Sequence, residues 1–202
     1  MTVFSTHCCP GSPDLGARAW LRLAVLLAAL WCAPVLAAEV EIRNAALNLE
    51  EDGFKLSADF DFELSSRLDE AVSRGVVLYF VAEFELTRSR WYWIDETVLE
   101  HRVTYRLSYH ALTRQYRLAT GALQQNFNTL EDALRVLARL RNVHVADRGA
   151  LKPGERYDCA LRFRLDVSQL PKPFQLNAVA SRHWNLASDW TRWTYLYTGD
   201  AK

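Results

Sequence analysis

The chain has 202 residues, and its 24 basic and 24 acidic side chains balance at neutral pH. A balanced charge gives no electrostatic reason to expect a nucleic acid or an anionic lipid as a partner. Half of the residues are hydrophobic, which is the composition of a globular domain with a substantial core.

The first 38 residues predict a secretory signal peptide. Arg18 and Arg22 precede an apolar run at residues 23–31, and small residues follow at Ala37 and Ala38. This order of basic, apolar and small residues is that of a leader cleaved near Ala37 or Ala38. The apolar run is shorter than the roughly 20 residues that cross a bilayer. We therefore expect a periplasmic mature protein, or a protein held by an N-terminal membrane anchor if the leader is not cleaved.

Removal of the leader leaves residues 39–202, which are enough for one domain with its own core. Cys159 is then the only cysteine, so the mature chain cannot form an intramolecular disulfide.

Alternation of apolar and polar residues predicts strands along most of the mature chain. The clearest example begins at Tyr157, where every second residue is apolar and Arg162 and Arg164 point the other way. The expected strands are residues 40–49, with a bulge near 44–46, and residues 54–64, 76–86, 103–109, 116–120, 157–167, 174–180 and 193–197.

Two short helices interrupt the strands. Ser66 with Asp69 predicts the start of the first, and Gly75 predicts its end. Thr129 with Asp132 predicts the start of the second, whose apolar face is Leu130, Ala133, Leu134, Leu137 and Leu140.

The Pro-Gly turn before the clearest strand resembles the tyrosine corner of immunoglobulin-like sandwiches, with Tyr157 as the tyrosine. A generic turn followed by a core tyrosine is the alternative. We therefore predict a mainly β fold: an antiparallel two-sheet sandwich, immunoglobulin-like, with two short helices. The expected core residues are Phe60, Phe80, Leu107, Cys159, Leu161 and Phe163.

Motifs that carry chemistry are scarce. The chain has no glycine-rich phosphate loop or Gly-x-Ser-x-Gly elbow, and its histidines lack metal-ligand spacing. No cofactor, metal or small-molecule ligand is therefore predicted. A hydrolase using Asp95 or Glu96 with His101 is the least favoured alternative, and Cys159 is expected to be a buried, unreactive thiol.

One segment combines arginines with large aromatic side chains and is the candidate binding site. In a strand it would place aromatic rings on both faces, so it is either fully buried or partly exposed for recognition. We expect Trp93 in the core and Tyr92 exposed. The candidate residues are Arg88, Arg90, Trp91, Tyr92 and Trp93, with Arg114 as a further arginine beside the rings.

Three stretches, at residues 79–93, 105–117 and 166–175, are similar to an uncharacterised family of exported proteobacterial proteins that is known only as a domain of unknown function. The resemblance implies a Gram-negative envelope protein, often encoded beside a membrane sensor histidine kinase of the nitrogen-regulation type. It supplies no catalytic residues. The favoured function is a non-enzymatic binding or accessory module, with a sensor kinase or another envelope protein as partner. A structural or assembly role in the envelope is the alternative.

Overall fold

The computed structural model describes residues 40–88, 96–175 and 184–199. These residues all belong to one compact unit, Ala37–Lys202. The predicted signal peptide lies outside the described residues. None of the helices in the described part of the chain is both long and apolar enough to span a bilayer.

The fold is mainly β, with two antiparallel sheets. Within the described residues, one sheet has three strands in the order β1-β2-β7, and the other has six in the order β6-β5-β4-β3-β8-β9. The strands are β1 (Glu41–Glu50), β2 (Gly53–Asp61), β3 (Leu78–Arg88), β4 (Glu96–His110), β5 (Gln115–Thr120), β6 (Leu123–Phe127), β7 (Arg139–Ala146), β8 (Arg156–Leu165) and β9 (Thr191–Leu196). The predicted fold class is therefore confirmed.

Aromatic side chains form the contact between the two sheets. The rings of Phe60 on β2 and Phe163 on β8 stack across the two sheets with centroids 4.4 Å apart. Phe80 on β3, a neighbour of β8 in the same sheet, extends this stack onto Phe163 at 5.8 Å. Phe54 packs edge-on against Tyr197 at 5.2 Å. The six core residues predicted from the alternation are all buried, which confirms the assignment of the inward face.

Two α-helices, α1 (Ser66–Ser73) and α2 (Leu130–Leu137), lie where the sequence predicts them. The cap of α1 is Ser65 rather than Ser66, because the Ser65 hydroxyl accepts from the backbone N–H of Leu68. Thr129 caps α2 as predicted, with its hydroxyl 3.1 Å from the backbone nitrogen of Asp132. A third helical stretch covers residues 172–175.

The tyrosine corner is present. The Tyr157 hydroxyl accepts a 2.8 Å hydrogen bond from the backbone N–H of Lys152, and the Tyr157 ring is buried. Gly154 has φ +82°, the left-handed conformation that a type II Pro-Gly turn requires at its third position. The turn is thereby tied to the start of β8.

Several predicted elements are wrong in detail. The second helix ends at Leu137, and Leu140 is instead a buried residue of β7, which the alternation did not predict. β6 was likewise not predicted. The strand expected at 174–180 is wrong at its start, because residues 174 and 175 are helical, and its residues 176–180 lie outside the described residues. The bulge expected in β1 is confirmed by a register shift between Arg43 and Ala46.

Candidate binding surface

Arg88, the first residue of the predicted aromatic–arginine site, is held in place at the end of β3. One guanidinium nitrogen lies 3.0 Å from the Glu155 carboxylate, and the other pairs with Glu96 at the start of β4. Both ion pairs raise the pKa of Arg88. Arg88 therefore links the end of β3 to the start of β4 and to Glu155, the residue just before β8.

The other predicted site residues are not brought together by the described structure. Arg90, Trp91, Tyr92 and Trp93 lie outside the described residues. Arg114 lies in the exposed turn after β4, whereas Arg88 is paired with Glu96 at the opposite end of that strand. A strand of this length spans roughly 45 Å, so Arg114 is far from Arg88.

Of the groups considered for catalysis, Asp95 lies outside the described residues, and the other three lie in settings that disfavour catalysis. Burial raises the pKa of the Cys159 thiol to about 12, with Asp158 adding to the shift. His101 is half-buried on the inner face opposite Phe84, and burial lowers its pKa. Glu96, its proposed partner, pairs with Arg88. In the described residues, no three metal-ligating side chains cluster.

The outer face of the six-stranded sheet, the face opposite the core, carries most of the charged strand residues. Phe80, Ala82 and Phe84 of β3 point into the core, so Glu83 and the residues paired with it point outward. We call this surface the arginine face. By the same register it carries Arg102, Arg106, Arg117, Arg156, Arg162, Arg164 and Arg192 and the carboxylates Glu83, Glu85, Glu100 and Asp158, with Asp166 just after β8.

Glu83 is the centre of this face, and it is buried although it points away from the core. Arg164 donates a 2.7 Å hydrogen bond to its carboxylate, and the Nε of Arg102 lies 3.9 Å away. The hydrogen bond from Arg164 lowers the pKa of Glu83, and the charges of Arg102 and Arg162 act in the same direction. Glu83 is therefore an anion enclosed by three arginines.

Two of these arginines keep hydrogen-bonding capacity. The Arg102 side chain is 67% exposed. Arg162 lies over the indole of Trp190, with 5.9 Å between the guanidinium carbon and the ring centroid, in a cation–π arrangement. Glu83 and Asp166, whose carboxylate lies 3.7 Å from Arg164, supply two negative charges against three guanidinium groups, so the centre of the face keeps a local positive charge. Its chemistry suits carboxylate or phosphate groups, which match the planar guanidinium fork.

A groove elsewhere on the molecule has the opposite charge. It lies between the end of β2 and α2, has a volume of about 610 Å³, and has an apolar floor that includes Phe62, Leu64, Leu130 and Leu134. Its charged residues are Asp61, Glu63, Asp69, Glu131 and a single arginine, Arg135. Arg135 is bound to Glu131 at 3.2 Å. The charges of the domain are thus partly separated in space.

The sequence pattern indicates the outward direction of these arginines but not their clustering. Alternation predicts that Arg102 on β4 and Arg162 on β8 face solvent. Glu83 meets both only because β3 lies between β4 and β8 in the sheet. Arg102 follows Glu83 by 19 positions and Arg162 follows it by 79, and no local pattern reports contacts over such separations.

A model of the family described as a domain of unknown function, DUF4390, matches residues 37–194. The chain therefore belongs to this family. No curated protein and no solved structure matches it.

Proposed function

We propose that this protein is a non-enzymatic, exported binding module of the Gram-negative envelope, accessory to a membrane sensor kinase, and that the arginine face contacts the partner. The observation that carries the proposal is the cluster of Arg102, Arg162 and Arg164 around one buried carboxylate, Glu83. Because Arg164 pairs directly with Glu83, the guanidinium groups of Arg102 and Arg162 remain available to a ligand.

These two arginines have the properties of binding hot spots. Arginine and tryptophan are enriched among the few residues that supply most of the energy of protein interfaces. Arg162 and Trp190 are already stacked, so little side-chain freedom is lost when a partner binds. The partner surface that fits is acidic, with carboxylates able to accept two hydrogen bonds from one guanidinium.

Export and the kinase partner rest on the sequence. The basic and apolar residues of the leader precede Ala37, and the family match begins at residue 37, which leaves the leader outside the shared domain. The envelope location and the kinase come from the resemblance to exported proteobacterial proteins. The location of the protein and its binding to the kinase can each be measured directly.

A non-enzymatic role is favoured by the state of the groups that a hydrolase would use. A thiol whose pKa is about 12 remains protonated at physiological pH and is a poor nucleophile. The His101 side chain faces the sandwich interior beside Phe84, where a substrate has little access. The carboxylate of Glu96 is engaged by Arg88.

The test is recovery of the sensor kinase with the protein from detergent-solubilised membranes, followed by titration of the purified pair. The double variant Arg102→Gln, Arg162→Gln removes the two guanidinium groups that Glu83 does not require. We expect its affinity for the kinase to fall by about tenfold or more, since hot-spot arginines contribute at least that much. N-terminal sequencing of the same preparation should show a chain that begins near Ala38 or Glu39.

Arg67→Gln is the matched control, because Arg67 is an exposed arginine on α1, away from the arginine face. It should bind as the unmodified protein does. The proposal is wrong if no kinase is recovered, or if the double variant binds the kinase with unchanged affinity. A phenotype that depends on His101 when His101→Ala remains folded would favour the hydrolase instead.

A further inference from the structure

β6 is an exposed edge strand without charged residues. It lies at one end of the six-stranded sheet, and among the described strands it pairs only with β5. Its sequence is Leu-Gln-Gln-Asn-Phe, and the first four residues are exposed. Leu123, the first residue of this edge strand, is 74% exposed.

The other three edges of the described sheets carry features that discourage pairing with another strand. Charged residues or bulges on an edge strand prevent unwanted addition. β1 has Arg43 at a register shift, β9 carries Arg192, and β7 carries Arg139 and Arg141. β6 has neither a charge nor a register shift, so it is the edge best suited to accept a strand.

The hairpin between β5 and β6 determines which backbone groups of β6 face outward. Its two-residue loop begins with Gly121, whose φ is +56°, and Thr120 pairs with Leu123 at the end of the loop. In a two-residue hairpin this closing pair is hydrogen-bonded, and such pairs alternate along the ladder. The backbone N–H and C=O groups of Gln124 and Asn126 therefore point away from β5.

We propose that two copies of this protein associate through β6, as an antiparallel strand pair around a two-fold axis at Gln125. In this register Leu123 lies opposite Phe127 of the second copy, and Gln124 lies opposite its Asn126. Apolar residues thus meet apolar residues, and amides meet amides. The outward backbone groups of Gln124 and Asn126 form the hydrogen bonds of the new ladder.

The strand itself supports a second copy rather than an unrelated peptide. Its polarity is symmetric about Gln125, which is the condition for a two-fold contact in which one patch meets itself. Since β6 carries no charge, pairing brings no like charges together. A contact of one short strand is small, so we expect weak association with a Kd of roughly 10 to 100 μM.

This pairing would also change the arginine face. The two-fold axis of an antiparallel strand pair is perpendicular to the sheet, so both copies present the same side. The arginine faces of two copies would then form one continuous surface. A partner with two acidic segments would bind this surface with higher avidity than a single copy. The dimer itself does not depend on the proposed kinase partner.

Sedimentation equilibrium of the purified protein, up to about 500 μM so as to exceed the expected Kd, tests the proposal. Gln125 of each copy lies beside Gln125 of the other, so Gln125→Lys alone or Gln125→Glu alone places two like charges about 5 Å apart. We expect each variant alone to dimerise at least about tenfold more weakly. A mixture of the two should recover dimerisation to the original level or beyond, because the charges are then opposite.

Thr104→Lys and Thr104→Glu are the matched controls, because Thr104 is an exposed strand residue of β4 away from this edge. They should leave the association unchanged, alone and mixed. If a Gln125 variant melts early, Gln124→Pro replaces it, since that proline removes an outward N–H and spares the pairing with β5. A monomer at all concentrations would overturn the proposal, as would a dimer that the Gln125 and Gln124 variants do not weaken.

Discussion

Replacement of Glu83 by glutamine tests whether the centre of the arginine face is built around a buried anion. A glutamine side chain has nearly the same volume as glutamate, so packing is preserved while the negative charge is removed. Arg164 then loses its 2.7 Å charged partner and keeps the more distant Asp166, whose oxygen is 3.7 Å away. The expected effect is a loss of stability at neutral pH.

The magnitude follows from burial. The Glu83 side chain is only 11% exposed, so solvent screens its ion pair far less than a surface pair. Hydrogen bonds to charged groups contribute about 1.5–3 kcal/mol to stability. An amide oxygen can still accept from Arg164 and retains part of that energy. We therefore expect Glu83→Gln to lower the free energy of unfolding by about 2 kcal/mol at pH 7.

The pH dependence of stability gives a second, independent prediction for the Glu83→Gln substitution. The pKa of Glu83 is lowered from its usual 4.5 by the hydrogen bond from Arg164, so the unfolded chain binds this proton more readily than the folded chain. The stabilisation is therefore complete above pH 4.5 and is lost as the pH falls through the folded pKa. The difference between the variant and the unmodified protein should shrink in that acidic range.

Urea unfolding followed by tryptophan fluorescence, at several pH values from neutral to acidic, measures both effects. Glu70→Gln is the control, because Glu70 forms an exposed pair with Arg74 on α1, which should contribute less than about 1 kcal/mol. A Glu83→Gln effect that is equally small, or one that does not change with pH, would refute the claim of a buried anion.

Two further substitutions test the sandwich itself. Phe163→Ala removes the ring that stacks on both Phe60 and Phe80. We expect thermal or urea unfolding to show that the free energy of unfolding falls by about 3–5 kcal/mol. A fall below about 1 kcal/mol would mean that the inward face is misassigned. Tyr157→Phe removes the hydroxyl that accepts from Lys152 and keeps the buried ring. Its expected cost in the same assay is about 1 kcal/mol, and an unchanged stability would show that the corner does not stabilise the turn.

Much of the fold is predictable from the sequence because half-buried antiparallel strands alternate with a period of two residues. The elements that were missed are those in which the period fails. β7 contains Asn142 with φ +48°, and its pairing with β2 shifts register, so its apolar residues Leu140, Val143 and Val145 do not alternate regularly. Leu140 also continues the helical spacing of α2, which extended the predicted helix too far. In β6, three consecutive polar residues remove the alternation entirely.

The candidate site was predictable only in its parts. The direction of Arg102 and Arg162 follows from the pattern of their own strands. The burial of Glu83 does not, because it depends on neighbours from β4 and β8 on either side of β3. The aromatic–arginine stretch predicted from composition joins β3 to β4. It is therefore connected to the strands that carry Glu83 and Arg102, and its own role in binding stays a prediction.

Net charge is a poor guide to the partner of a molecule whose charges are separated in space. The balanced composition gave no electrostatic reason to expect a charged ligand. The arginine face nevertheless carries seven arginines against five carboxylates, and the groove beside α2 carries four carboxylates against one arginine. Charges act over a Debye length of about 8 Å at physiological ionic strength. An approaching partner therefore responds to the charge of the surface it meets and not to the net charge of the whole molecule. An acidic partner at the arginine face is therefore compatible with a neutral chain, and the spatial pairing of strands rather than the composition decides which sign of charge each surface presents.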